Sequence, residues 1–196
     1  MGMNTNIQSS FPHDLHAESL ARRDWASALM ACPEKRRLVR LRELATTPPF
    51  CDQMADADYW RTLRHLLICL SDFERPKSAL RRLLYETRPE ATRPSLMDSG
   101  ERQRLAQLPE DVLVFQGRDA NASAAWLWSL SARQAVRNAI RSSDRHPVVV
   151  EALVKRSQIL MLSNALPTGS VLACPDEVRE KRTHKDSGKW ISAEPL

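Results

Sequence analysis

Residues 108–117 read LPEDVLVFQG, and at this stretch the spacing of apolar residues changes. Before it, apolar side chains recur at helical intervals; after it, most of them form short runs typical of strands. The predicted helices span residues 14–31, 34–45, 57–70, 78–87, 99–108 and 131–142. The predicted strands span residues 111–117, 147–154, 157–162 and 170–174. The sequence therefore predicts an α+β fold, with a helical N-terminal half followed by a small β-sheet core.

Composition and charge are those of an ordinary globular protein. Of the 196 residues, 42% are hydrophobic and 27% are charged, and the net charge is +5. No run of about 18 apolar residues is present, so we expect no membrane insertion. The N-terminus lacks the basic start and apolar stretch of a secretory signal, so we expect a cytoplasmic protein.

The spacing of cysteines and glycines argues against several kinds of site. The four cysteines are Cys32, Cys51, Cys69 and Cys174, and no two of them have CxxC spacing. We expect reduced thiols and no metal site, because the close pair His13 and His16 has no third ligand nearby. The five glycines form neither a GxxxxGK[ST] nor a GxGxxG loop. A nucleotide phosphate held by a glycine-rich loop is therefore not expected.

Basic residues are concentrated in three stretches, 36–42, 75–93 and 179–189, and the second and third of them also contain acidic residues. The positive net charge favours an acidic partner without identifying it. No helix-turn-helix signature, zinc finger or RNP-like aromatic motif accompanies these stretches. We interpret them mainly as solvated faces and keep nucleic-acid binding as an alternative.

Four short blocks follow one another along the C-terminal half of the chain. They are LPEDVLVFQG (108–117), WLWSLSARQAVRNA (126–139), VVVEALVKRSQIL (148–160) and GSVLACP (169–175). In residue pattern and in order along the chain, these blocks resemble a group of bacterial and phage ADP-ribosyltransferase-like domains. The first strand of those domains commonly reads LPD-x-V-x-V-Y-R-G. The resemblance divides the chain into a helical extension (1–56), an ADP-ribosyltransferase-like domain (57–175) and a charged, partly disordered tail (176–196).

This resemblance implies a site for NAD in a cleft between two small β-sheets. In the arginine–serine–glutamate class, an Arg of the first strand holds NAD and a Ser of the second motif fixes the cleft. A final Glu stabilises the positive charge that develops on the nicotinamide ribose. The matching positions of this chain hold Gln116, Leu127 and Ser170. Since none of them is charged, we expect no catalytic residue and no cofactor.

A relocated active site is the main alternative to a lost one. The charged residues that could replace the missing groups are Arg118, Glu151 and Glu177. With them the chain would be an active mono-ADP-ribosyltransferase that binds NAD. Trp126 and Trp128 are two residues apart on a strand, so their side chains point the same way. They line the NAD cleft that the resemblance implies, an interface or the core.

The leading hypothesis is therefore a catalytically inactive ADP-ribosyltransferase-like protein that acts by binding a cytoplasmic protein. By analogy with similar proteins, it is a factor of a mobile element, a plasmid or a phage. Its target would be a host or competitor protein, such as a conjugation or secretion ATPase or a defence complex. An active mono-ADP-ribosyltransferase and a nucleic-acid-binding regulator are the two alternatives.

Overall fold

The computed structural model describes residues 11–70, 77–142, 146–166 and 169–185. The chain divides into two compact units, Met1–Leu70 and Ser71–Leu196. The first unit is helical in its described residues, and the second combines helices with a β-sheet. The α+β class predicted from the sequence is therefore confirmed.

The first unit is built from short helices around an apolar core. Its helices are α1 (Phe11–Ala21), α2 (Trp25–Met30), α3 (Glu34–Thr46), α4 (Phe50–Gln53) and α5 (Asp56–Ile68). Helix α5 contacts both α2 and α3. Their fully buried side chains include Leu29, Leu41, Leu44, Tyr59, Trp60, Leu63 and Leu67. Helices α3 and α5 supply most of this core.

The single helix predicted for residues 14–31 is wrong, because the chain turns between α1 and α2. Arg23 has a φ of +58°, the left-handed conformation that ends helices. Its N–H donates to the carbonyl of Leu20 at 3.0 Å, and the Asp24 N–H donates to that of Ser19 at 2.9 Å. The Asp24 carboxylate then caps α2 by accepting from the Ser27 N–H at 3.1 Å. Neither Gly nor Pro marks this turn.

The second unit contains the predicted sheet. Its helices are α6 (Lys77–Tyr85), α7 (Ser99–Gln107) and α8 (Ala132–Ser142), with a 3-10 helix at Glu90–Leu96. Its strands are β1 (Asp111–Asp119), β2 (Leu127–Ser129), β3 (Pro147–Lys155), β4 (Ile159–Ser163), β5 (Ser170–Ala173) and β6 (Arg179–His184). Asp98 caps α7 in a capping box with Glu101, which supports the predicted start of that helix.

All strands form one six-stranded sheet in the order β4-β5-β2-β1-β3-β6. Every neighbouring pair is antiparallel. Strands β1 and β3 pair along their whole length, from Asp111 opposite Lys155 to Asp119 opposite Pro147. The two small sheets implied by the resemblance are thus replaced by one continuous sheet.

Helix α8 connects β2 to β3 and packs on one face of the sheet. Its buried alanines and Val136 form a cluster with Phe115 of β1 and Val149 of β3. Gly117 allows the close approach, since a Cβ at this position would lie 1.8 Å from the Ala135 carbonyl oxygen. We refer to this side of the sheet as the α8 face.

The boundaries of the units differ in detail from those implied by the resemblance. The division falls after Leu70, so α5 belongs to the helical unit and not to the sheet-containing one. The first residues of the predicted tail are ordered, since Arg179–His184 form the edge strand β6. Residues 186–196 lie outside the described residues, as does Trp190 within them.

Candidate functional site

The three positions that the resemblance aligns with catalytic residues lie on strands that are neighbours in the sheet. Gln116 is on β1, Leu127 begins β2 and Ser170 begins β5, and the order β5-β2-β1 places these strands side by side. A common site is therefore compatible with the topology. Whether the side chains meet depends on which face of the sheet each one occupies.

Strand register places Gln116 on the opposite face from the other two. Phe115 pairs with Ser129, and Ser129 pairs with Ser170, so these three side chains share the α8 face. Leu127, two residues before Ser129, lies on the same face. Gln116 directly follows Phe115 and therefore points away from α8. The sheet brings Leu127 and Ser170 together but separates them from Gln116.

The side chains in line with Gln116 on β2 and β5 are apolar. The residue before Ser129 is Trp128, which pairs with Val171 of β5. Trp128 is 2% exposed and Val171 is fully buried. This row across β1, β2 and β5 therefore contains an amide, an indole and a branched alkyl group. None of them is a cation that could hold a pyrophosphate or an anion that could stabilise a ribosyl cation.

The Gln116 side chain is fully used in holding the segment that leads into β2. Its Nε2 donates to the carbonyl oxygens of Ala125 at 3.2 Å and Leu127 at 2.9 Å. Its Oε1 accepts from the Ala125 N–H at 3.1 Å. The residue is only 5% exposed. Gln116 thus replaces ladder hydrogen bonds that β1 and this segment do not make with each other.

Ser170 and its neighbour on β2, Ser129, are buried at the point where the sheet leads into α8. Ser170 and Ser129 pair directly and are each 3% exposed. The Ser129 hydroxyl accepts from the Ser131 N–H at 3.0 Å. The Ser131 hydroxyl in turn accepts from the Gln134 N–H at 3.3 Å, which confirms Ser131 as the cap of α8. These hydroxyls shape the turn from the sheet into the helix.

Arg118 lies on the same face as Gln116, but its guanidinium is engaged at both ends. It donates to the Ala122 carbonyl oxygen in the loop that precedes β2. It also forms an ion pair with Glu180 of β6 at 3.1 Å. Its side chain is 15% exposed. These contacts tie the loop to the sheet edge, so Arg118 connects three parts of the structure.

Glu151 is on the opposite face from Arg118. It pairs with Phe115 in the β1–β3 register and therefore lies on the α8 face. Its carboxylate is 3.4 Å from Nε2 of His184 on β6. Arg118 and Glu151 consequently cannot form one active site across the sheet.

Glu177 lies beside an aromatic residue, Tyr85, that was not among the predicted site residues. It ends the short 3-10 helix Pro175–Glu177 after β5, and it accepts a hydrogen bond from the Tyr85 hydroxyl at 3.3 Å. The Tyr85 ring is 6.4 Å from Trp126 and 4.9 Å from the Arg93 guanidinium. Burial, with the nearby Glu177 charge, raises the pKa of the Tyr85 hydroxyl, which remains a neutral donor.

A cavity of about 440 Å³ lies where α6 begins and β5 ends. Trp126 forms part of its wall, together with Lys77, Arg81, Cys174 and Asp176. Its charged groups are already engaged: Arg81 pairs with Asp176 at 2.7 Å, and Lys77 donates to the Ser123 hydroxyl. Burial raises the pKa of the Cys174 thiol. The cavity therefore offers an aromatic wall with largely neutralised charges.

The two tryptophans are packed in the protein interior. Trp126 and Trp128 are each 2% exposed, so core packing describes both better than a surface interface does. Trp126 borders the cavity, whereas the buried Nε1 of Trp128 has no hydrogen-bond partner among the described residues. Sequence reasoning missed Tyr85, which contacts Trp126 and Glu177. Helical periodicity gave no reason to choose it among the residues of α6.

Comparison with models of protein families, with curated proteins and with solved structures found no match to this chain. Within the described ranges, no three His, Cys, Asp or Glu side chains are grouped so that they could hold a metal ion. No helix in this part of the chain is both long and apolar enough to cross a bilayer. The site must therefore be interpreted from its geometry.

Proposed function

We propose that this chain acts by binding a protein partner and that it catalyses no ADP-ribosyl transfer. The observation that carries the proposal is the bonding of Gln116. Both the nitrogen and the oxygen of its side-chain amide form hydrogen bonds with the backbone of residues 125–127. A side chain so engaged is not available to a ligand. The position that resembles the NAD-holding arginine is thus part of the folded core.

The distribution of charges supports the same proposal. Transfer of an ADP-ribosyl group needs a cation near the pyrophosphate and a carboxylate near the ribose in one cleft. Here Arg118 and Glu151 lie on opposite faces of the sheet, and Arg118 already holds Glu180. Loss of one charge-assisted hydrogen bond costs about 1.5–3 kcal/mol, and each 1.4 kcal/mol is about tenfold in rate.

The biological role is part of the proposal and follows from the resemblance alone. A protein of this kind, carried by a plasmid or phage, would bind and inhibit a host or competitor protein in the cytoplasm. The resemblance points to a conjugation or secretion ATPase or a defence complex as the kind of target.

The test is release of nicotinamide from labelled NAD by the purified full-length chain, with and without cell lysate as acceptor. We expect release no faster than in buffer, and no labelled protein in the lysate. Release or transfer that disappears in Glu177→Gln or Arg118→Gln would establish a relocated active site and overturn the proposal. Gln107→Ala, an exposed change in α7, serves as the control variant.

A further inference from the structure

One flank of α8 carries arginines at one-turn spacing. Arg133, Arg137 and Arg141 are each four residues apart and all exposed. At about 100° per residue they lie on one side of the helix together with Ile140. Ile140 is 51% exposed, which makes it one of the few large apolar side chains on the surface of the described residues.

These arginines are not neutralised by the part of the chain that the structure describes. The sequence of α8, ARQAVRNAIRS, contains no acidic residue, and none of its three guanidiniums forms an ion pair with a described residue. Arg118 and Arg81, by contrast, each hold a carboxylate. Like charges at i and i+4 destabilise a helix by about 0.2–0.5 kcal/mol per pair. A partner that supplies carboxylates would remove this repulsion.

The opposite flank of α8 is neutral. Gln134 and Asn138 form a side-chain hydrogen bond at 3.0 Å. Their amides satisfy each other along the helix surface, so this flank has less need of an external partner. The two sides of the solvent-facing helix are therefore chemically distinct, and positive charge is confined to one.

Strand β6 adds two further arginines on the same side of the sheet. Arg182 lies opposite Glu151 in the strand register, and Glu151 lies opposite Phe115 under α8, so Arg182 shares this face with the Glu151 carboxylate. Arg179 pairs with Leu153 on the same face. The β2–α8–β3 connection joins two parallel strands across β1, and such crossovers are right-handed. This handedness turns the charged flank of α8 towards β3 and β6, next to these two arginines.

We propose that this combined surface binds an acidic segment of a partner protein. The arginine flank is defined as Arg133, Arg137, Ile140 and Arg141 of α8 with Arg179 and Arg182 of β6. Its charge fits carboxylates, and the half-exposed Ile140 among the guanidiniums fits an apolar side chain between them. A phosphate backbone offers nothing apolar to Ile140, so a protein segment fits better than a nucleic acid. This inference rests on the proposed function and names its contact surface.

The experiment measures binding of a fluorescein-labelled peptide of alternating Glu and Leu to the full-length chain by fluorescence anisotropy. We expect saturable binding that weakens about tenfold or more when Arg133→Gln, Arg137→Gln and Arg141→Gln are combined, which is about 1.4 kcal/mol of binding free energy. We expect Ile140→Ser to weaken binding of this peptide. The same change should leave a Glu and Ser peptide unaffected, because that peptide has no apolar side chain to bury.

The matched control removes the same charge elsewhere. Lys35→Gln, Arg36→Gln and Arg42→Gln are combined on α3, where all three side chains are exposed. If this control weakens peptide binding as much as the α8 variant does, the attraction is a general effect of net charge and the inference is wrong. Tighter binding of an oligothymidylate than of either peptide would also overturn it, in favour of a nucleic-acid surface.

Failure of this inference can be told apart from failure of the proposed function. If the chain releases nicotinamide from NAD, the proposed function fails whatever the peptide does. If the chain is inert towards NAD and the α8 variant binds the peptide like the wild type, the arginine flank alone is wrong. Far-ultraviolet circular dichroism of each variant confirms that it is folded.

Discussion

Three hydrogen bonds join the Gln116 amide to the backbone of residues 125–127. An arginine could donate to the two carbonyl oxygens but could not accept from the Ala125 N–H, because a guanidinium has no acceptor. The surroundings of this residue are therefore matched to glutamine. At this scale the structure shows that an uncharged amide suits this position, which the resemblance aligns with the NAD-holding arginine.

Replacing Gln116 by methionine tests whether this amide holds the core together. Gln116→Met keeps the side-chain length but leaves three buried backbone groups without partners. We expect the free energy of unfolding to fall by about 2–4 kcal/mol, measured by urea denaturation. The control Gln107→Met, at an exposed position in α7, should change it by less than about 0.5 kcal/mol. Equal effects of the two substitutions would contradict this role of Gln116.

Substitution of Arg23 should raise the free energy of unfolding rather than lower it. Its φ of +58° is the conformation in which glycine has no Cβ penalty. We expect Arg23→Gly to raise the free energy of unfolding by up to about 1 kcal/mol. Arg36→Gly, within α3, should lower it by about 1 kcal/mol. Thermal denaturation of both variants measures the contrast, and a loss of stability in Arg23→Gly would refute the assigned turn.

Cys174 should react slowly with thiol reagents in the folded protein. It is 3% exposed, and burial raises the pKa of its thiol, so little reactive thiolate is present at neutral pH. Its rate of modification should therefore rise as the pH increases further. Mass spectrometry after timed treatment with iodoacetamide locates the modified residues. Modification of Cys174 as rapid as that in urea would show that this part of the sheet is open.

At the scale of secondary-structure elements, Gly117 determines how closely α8 approaches β1. A Cβ at this position would lie 1.8 Å from the Ala135 oxygen and 2.4 Å from the Ala139 nitrogen. Since both are backbone atoms, relief requires movement of the helix. We expect Gly117→Ala to lower the free energy of unfolding by about 3 kcal/mol or more, measured by urea denaturation.

Gly100 supplies the matched control for this substitution. It lies in the first turn of α7, and the nearest atom to an added Cβ is an Asp98 oxygen at 3.4 Å. Gly100→Ala should therefore be neutral or stabilise the protein by up to about 1 kcal/mol. Similar losses in the two variants would mean that α8 does not pack on Gly117 as described.

Most of these elements could be predicted from the sequence because their apolar periodicity is strong. The runs around 111–117 and 147–154 became β1 and β3, whereas their register, Asp111 opposite Lys155, is a feature of the structure. The turn at Arg23 was missed because its left-handed residue is not a glycine. Strand β6 was missed because all but the last of its residues are exposed and its first four are charged, as is common for an edge strand.

The candidate site could be predicted only in part. The four blocks singled out Gln116, Leu127 and Ser170, and the structure places them on the adjacent strands β1, β2 and β5. Their assignment to opposite faces depends on the pairing of Phe115 with Ser129, which is a tertiary contact. The contact of Glu177 with Tyr85 joins residues 92 positions apart. No local pattern contains such information.

At the scale of the whole molecule, the proposal is that the folded chain binds a partner through its surface, since the position that the resemblance aligns with the NAD-holding arginine is buried in its core. The net charge of +5 and the arginine flank both favour an acidic partner. Peptide binding to the flank should weaken as salt rises from about 0.05 M to about 0.2 M, because exposed charges are screened. Binding that does not depend on salt would remove the electrostatic part of this account.

The most direct test of a closed pocket is a nuclear magnetic resonance titration of the ¹⁵N-labelled full-length chain with NAD. The Gln116 side-chain amide and the Ala125 backbone amide report on the three hydrogen bonds that Gln116 forms. The resemblance aligns Gln116 with the arginine that would hold NAD. The account predicts that neither signal shifts at millimolar NAD. Saturable shifts of both signals would show that the dinucleotide reaches this position. The proposal that Gln116 is not available to a ligand would then be wrong.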